Sequence, residues 1–143
     1  MLKNAPGKKF DHTRVHLCMT EIVCGVMHLH SIGIIHRDIK PENIFIDVNG
    51  HLVIGDFGLA TKVTIGNQYG AWDEHTDEVP DEMGVVVPHV RSGRTCGTPG
   101  FMAPELYLRK QHTFAADIWS IGVVMYLMIY GEVRCALSVP AKY

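Results

Sequence analysis

Between Asp11 and His30 the apolar residues Val15, Met19, Ile22, Val26 and Leu29 recur every three or four positions, the period of a helix with one buried stripe. Asp11 offers an N-cap carboxylate ahead of the stripe and Gly33 a stop behind it, so the spacing predicts a helix over 11–30. The period then changes. Ile44-Phe45-Ile46-Asp47 and Leu52-Val53-Ile54-Gly55 are short β-prone runs joined through Asn49-Gly50, the dipeptide that best supplies the positive φ angles of a two-residue turn. A hairpin over 44–55 follows. With Asn49 and Gly50 at the turn, Val48 pairs with His51, Ile46 with Val53, Ile44 with Gly55 and Asn43 with Asp56. Directly opposite residues have Cβ atoms about 5 Å apart. This register sets an amide beside a carboxylate, close enough to ligate one hard cation. Farther on, 116–130 is apolar around nearly its whole circumference, which predicts a helix buried on all sides.

The stretch 63–90 breaks both periods. It carries Asp73, Glu74, Asp77, Glu78, Asp81 and Glu82, three glycines, and no Lys or Arg. It reads as a mobile acidic loop on an otherwise mildly basic body.

Composition narrows the partners. The 143 residues are 47% hydrophobic and 20% charged, with a formal net charge of −2, enough for one core and without the basic run of a nucleic-acid or membrane-surface binder. Neither partner is expected. The run Ile118 to Tyr130 falls short of the roughly 20 residues that span a bilayer, and the first ten residues lack the apolar core of a signal peptide. Cys18, Cys24, Cys96 and Cys135 form no C-x-x-C pair. A reducing, intracellular setting, cytoplasmic or nuclear, is expected. His12 with His16, and His28 with His30, have no third ligand nearby in sequence and read as helix-surface or packing residues.

The chemistry is concentrated in His36-Arg37-Asp38-Ile39-Lys40-Pro41-Glu42-Asn43. Phosphoryl transfer needs ligands for Mg²⁺, a cation for the transferred phosphate and a group that orients the attacking hydroxyl, with little covalent chemistry from the protein. These eight residues offer all three kinds of group. Together with Asp56-Phe57-Gly58, Ala103-Pro104-Glu105 and Asp117-Ile118-Trp119-Ser120-Ile121-Gly122, in that order, the sequence resembles the catalytic lobe of eukaryotic protein kinases over roughly Asp11 to Gly131. Lys40, two residues after Asp38, and Gly97-Thr98-Pro99 look like the serine/threonine class. The stretches around HRDIKPENIFID and GHLVIGDFGLA look most like its AGC-type branch.

The resemblance implies an α+β fold: an incomplete kinase-like domain, a mainly helical C-lobe part with a short β-hairpin and no N-lobe. It divides the chain into a helix at 11–30, a catalytic loop at 36–43, the hairpin at 44–55, an activation segment at 56–105 containing the acidic insert, and a buried helix at 116–130. It further implies that Asp38 accepts or orients the substrate hydroxyl proton, that Lys40 meets the γ-phosphate of ATP, and that Asn43 and Asp56 hold Mg²⁺. His36, Phe57, Gly58, Thr98 and Glu105 take structural or activating roles. Asp117 braces the catalytic-loop backbone and Arg37 meets a phosphorylated activation-segment residue. The substrate is a protein hydroxyl of Ser or Thr.

Departures from the family pattern set further expectations. Upstream of Asp11 there is no G-x-G-x-x-G or V-A-I-K stretch, and downstream no arginine stands where the family pairs one with Glu105. The usual phosphoacceptor position holds Arg94, with Thr95 one place late, and an acid of the 73–82 cluster is expected to meet Arg37 instead. The alternative function is a truncated, catalytically inactive kinase-like interaction protein whose exposed core takes a partner.

Overall fold

The computed structural model describes residues 9–63, 76–80, 86–90 and 96–133, the two middle stretches as backbone only. Helix α1 runs His12–Ser31, with Asp11 as its N-cap accepting the Arg14 N–H at 2.9 Å. Gly33, at φ 78°, turns the chain off its end. The stripe read from the sequence is the buried face: Val15, Ile22, Val26 and Leu29 are buried, joined by Cys18. Helix α3, Ala115–Tyr130, packs on it, and Val15, Cys18, Ile22 and Val26 form one core with Ile39, Ile44, Ile121, Val124 and Met128.

Helix α3 is one-sided, contrary to the expectation of burial all round. Ala116, Asp117, Ser120, Ile121, Val124 and Met128 are buried, while Ile118, Trp119, Met125 and Tyr130 are between 43% and 51% exposed. Among the described residues α1 is the one long helix that packs against it, and a single neighbour covers a single stripe.

Among the described residues six strands pair as three antiparallel ladders: β1 (Ile34–Ile35) with β4 (Thr61–Lys62), β2 (Ile44–Ile46) with β3 (Leu52–Ile54), and β5 (Thr76–Pro80) with β6 (Val86–Val90). The fold is thus mixed α and β, with more strand than the single expected hairpin. The β2–β3 hairpin joins the expected runs in a register one residue away from the expected one. Ile44 faces Ile54, Phe45 faces Val53 and Ile46 faces Leu52, and the Asp47 N–H bonds the His51 carbonyl at 2.8 Å. The loop is therefore Val48-Asn49-Gly50. Asp47 is the cause: its Oδ1 accepts from the N–H groups of Asn49 and His51 at 2.8 Å each. Gly50 alone takes the left-handed position, at φ 90°.

The acidic stretch is also corrected. Instead of unbroken loop it contains the β5–β6 ladder, in which Thr76 faces Val90 and Val79 faces Val87. The β-branched valines of this segment favour extended pairing. Side chains of the six acids lie outside the described residues, as does Thr95. No described helix is long and apolar enough to cross a membrane.

Candidate active site

The loop after β1 is built around a buried carboxylate. Asp117, in the first turn of α3 and 0% exposed, accepts the His36 N–H on Oδ2 and the Arg37 N–H on Oδ1, each at 2.8 Å. Arg37 has φ 67°, a left-handed conformation that costs a residue with a Cβ about 1–2 kcal/mol. Two hydrogen bonds to a buried acceptor hold it there. Ile35 and Ile39, both fully buried, anchor the loop on either side.

His36 is itself fully buried. Its Nδ1 accepts from the Asp38 N–H at 3.3 Å, so the ring proton sits on Nε2, which donates to the Gly55 carbonyl at 3.0 Å. The ring also lies 5.1 Å from that of Phe57. One imidazole therefore links the loop after β1 to the end of the hairpin and to the Asp56-Phe57-Gly58 turn.

Beyond it stand four polar side chains in mutual contact. Asp38 Oδ2 accepts from Lys40 Nζ at 2.7 Å and from Asn43 Nδ2 at 3.1 Å. Asp38 Oδ1 accepts from Thr98 Oγ1 at 2.7 Å, and that hydroxyl accepts from Lys40 Nζ at 2.6 Å. Burial pushes the Asp38 carboxyl up, but the bonds from Lys40 and Thr98, the Lys40 charge and the Asn43 amide together hold it below the ordinary carboxylate value. Asp38 is thus a charged acceptor in a dry setting, suited to taking a hydrogen bond or proton from a hydroxyl.

Asn43 Nδ2 also donates to the Asp38 carbonyl at 2.9 Å. That commits the nitrogen to the loop and leaves Oδ1 as the remaining acceptor. The Asn43 carbonyl accepts the Gly55 N–H at 2.9 Å, so the residue across from Asn43 is Gly55. Asp56, expected there, comes one position later at φ 58°, exposed, with Oδ1 accepting the Gly58 N–H at 3.3 Å. The hairpin thus makes Asn43 and Asp56 diagonal neighbours. An amide oxygen and a carboxylate are hard donors, and Mg²⁺ commonly takes one or two carboxylates and keeps waters or phosphate oxygens for the rest. Among the described residues no three His, Cys, Asp or Glu cluster for a metal. The donor set therefore fits Mg²⁺ and not an all-protein cage such as structural zinc takes.

Thr98 enters the site because Gly97 lets it. Gly97 has φ 111°, and a Cβ on it would stand 2.9 Å from the Arg37 carbonyl. Glu105 is half-buried in the first turn of α2 (Pro104–Tyr107). The Arg37 Nε donates to the Leu59 carbonyl at 2.7 Å, while the acids expected to meet Arg37 lie outside the described side chains.

Two residues at this site were not read from the sequence. His30 Nε2 stands 2.8 Å from Asp117 Oδ2, although nothing in the helical spacing distinguishes it from His28, which is exposed. His112 is 1% exposed and neither ring nitrogen makes a hydrogen bond. Such contacts span elements and leave no periodic trace.

The family model for the protein kinase domain matches residues 2–139. The chain is 43% identical over 122 residues to serine/threonine-protein kinase AtPK2/AtPK19 of Arabidopsis thaliana, covering 85% of this chain and 21% of that protein. It is 38% identical to ribosomal protein S6 kinase alpha-1 of Rattus norvegicus, over 86% of this chain and 14% of that one. With protein kinase C delta type of Homo sapiens it shares 34% identity over 87% of this chain and 15% of the relative. The chain spans about a fifth or less of the length of these relatives.

Proposed function

Because the chain belongs to the protein kinase family and is similar to AGC-like serine/threonine kinases, we propose that it is the catalytic-lobe part of a domain that transfers the γ-phosphoryl group of ATP to Ser or Thr hydroxyls of protein substrates. The observation that carries this reading is the Asp38 carboxylate held between Lys40, Asn43 and Thr98. Asp38 accepts the hydrogen bond of the substrate hydroxyl and orients its oxygen. Lys40, already at the carboxylate, offers its ammonium to the transferred phosphate. Asn43 Oδ1 and Asp56 are the ligands for Mg²⁺, which when bound neutralises charge on the phosphate oxygens. Phe45 and Val53 face each other on the exposed side of the hairpin, 53% and 46% accessible, two register positions from Asn43. They supply an apolar surface for the nucleotide base. Free thiols at Cys18 and Cys24 support a reducing intracellular setting.

A thermal-shift titration with MgATP tests the reading. The wild-type chain is expected to rise in melting temperature with MgATP, and Asp56→Ala to lose most of that rise. Equal shifts in both, or none, would favour the second reading, a non-catalytic interaction protein, for which the exposed Ile118, Trp119, Met125 and Tyr130 of α3 offer an apolar surface.

A further inference from the structure

We infer that the surface segment 109–113, between α2 and α3, is an acid-opened flap that the neutral imidazole of His112 wedges shut. The inference goes beyond the kinase reading above and does not rest on it.

From position 107 to position 115 His112 is the one buried side chain, and Tyr107, Leu108, Arg109 and Lys110 just before it are exposed. Its ring is therefore what pins the segment into the interior. The two ends of the segment differ. Arg109 sits at φ 54°, a left-handed conformation that a residue with a Cβ leaves once its surroundings no longer impose it. Its N–H reaches the Leu106 carbonyl at 3.2 Å, and the Lys110 N–H reaches the Glu105 carbonyl at 2.8 Å. At the far end Thr113 Oγ1 accepts the Ala115 N–H at 3.1 Å, and the Phe114 ring lies 4.7 Å from that of His30. Strain at one end and anchorage at the other make Arg109 the hinge.

Neither ring nitrogen of His112 makes a hydrogen bond. A neutral ring carries that cost in place, but an imidazolium there would bury a charge and two unpaired donors. Among the described residues the charged groups that act on the ring are Arg37 from the loop after β1, Glu105 from α2 and Asp117 from α3. Burial, then the Arg37 charge, disfavour the proton more than the two acids favour it. Swung into water, the ring regains its ordinary proton affinity, so acidification favours the open flap. On either side of the flap Leu106 and Ala116 share a core cluster with Met102 and Ala103, and the Met102 N–H bonds the Thr98 carbonyl at 3.1 Å. An open flap therefore loosens the turn that brings Thr98 to Asp38.

Amide hydrogen exchange of the ¹⁵N-labelled 143-residue chain, divided at each pH by the intrinsic rate, tests this without nucleotide. The Arg109 and Lys110 amides are expected to exchange faster than those of Ile22 and Val26 in the core, with little dependence on dilute urea. Between about pH 7.5 and about pH 5.5 they are expected to lose about threefold or more of their protection. In His112→Leu and His112→Phe, which fill the space without a titrating ring, that loss is expected to shrink below about 1.5-fold. Unchanged protection in wild type, or the same loss in a folded variant, overturns the inference. So does protection at Arg109 and Lys110 that equals that of Ile22 and Val26 with the same urea dependence, because the proton then opens the whole chain and no flap. Should neither variant fold, that wild-type comparison decides alone.

Discussion

Thr98 donates its hydroxyl to Asp38 Oδ1 at 2.7 Å across 60 residues of sequence while accepting from Lys40 Nζ at 2.6 Å. The hydroxyl joins the segment before α2 to the loop after β1, and its bond is one of those that lower the Asp38 pKa.

Replacing Thr98 by Val should therefore raise the Asp38 pKa, and Thr98→Ser should leave it near the wild-type value. The folded-state pKa lies below the ordinary 3.8, so this carboxylate's stabilisation is present above that value and lost as pH falls through the folded pKa. Carbon-detected NMR titration of the Asp38 carboxyl checks the shift. In a catalytically competent domain, the valine variant should lose about 10- to 100-fold in turnover, since the carboxylate proposed to orient the substrate hydroxyl would be less well placed.

His112 should make the chain acid-sensitive. Burial, and next the charge of Arg37, hold its imidazole below the ordinary 6.5, against weaker opposite pulls from the charges of Glu105 and Asp117. The unfolded chain thus binds the proton more readily. Stability is full above 6.5 and falls as pH drops through the window down to the folded pKa. His112→Leu removes two unpaired buried nitrogens and should add about 1 kcal/mol. Urea midpoints at about pH 7.5 and about pH 5.5 should differ less in this variant than in wild type.

Gly97 and Gly122 should respond oppositely to alanine. At Gly97 the positive φ and the 2.9 Å approach to the Arg37 carbonyl predict a loss of about 1–3 kcal/mol for Gly97→Ala. At Gly122, inside α3 with nothing within 4 Å of a new Cβ, alanine should stabilise by about 0.5–1 kcal/mol. Denaturant unfolding of both variants is the measurement.

Glu21 clamps the hairpin to α1. Its Oε1 lies 2.8 Å from His51 Nδ1, and its Oε2 accepts the Leu52 N–H at 2.7 Å. The hydrogen bond and charge of Glu21 raise the His51 pKa, and the His51 bond in turn lowers that of Glu21. The His51 contribution is full below 6.5 and lost as pH rises through its folded pKa. Because His51 is 70% exposed, added salt should bring its NMR titration midpoint back towards 6.5, and Glu21→Gln should do so without salt.

Much of the site was legible in linear order. Asp38, Lys40 and Asn43 lie within six positions, so the polar groups were visible in the sequence, while the roles expected of them came from the resemblance to protein kinases. Helix α1 was equally legible, since the stripe Val15, Ile22, Val26 and Leu29 is a property of the 3.6-residue period. The hairpin's existence followed from two β-prone runs around a turn. Its register did not, because the side chain of Asp47 competes with the Asn49-Gly50 signal and lengthens the loop by one. That one step moved Asp56 away from direct opposition to Asn43.

What the sequence by itself determined was which groups are present and which short segments take helical or extended form, since propensity, capping and turn chemistry act over a few residues. Only the tertiary structure decided which other distant groups meet: Thr98 with Asp38, His30 with Asp117, Gly97 against the Arg37 carbonyl. It also decided that α3 buries one face while the other stays exposed. These pairings depend on how α1, the loop and α3 pack, and packing energy is shared among many side chains, so no single stretch of sequence records it.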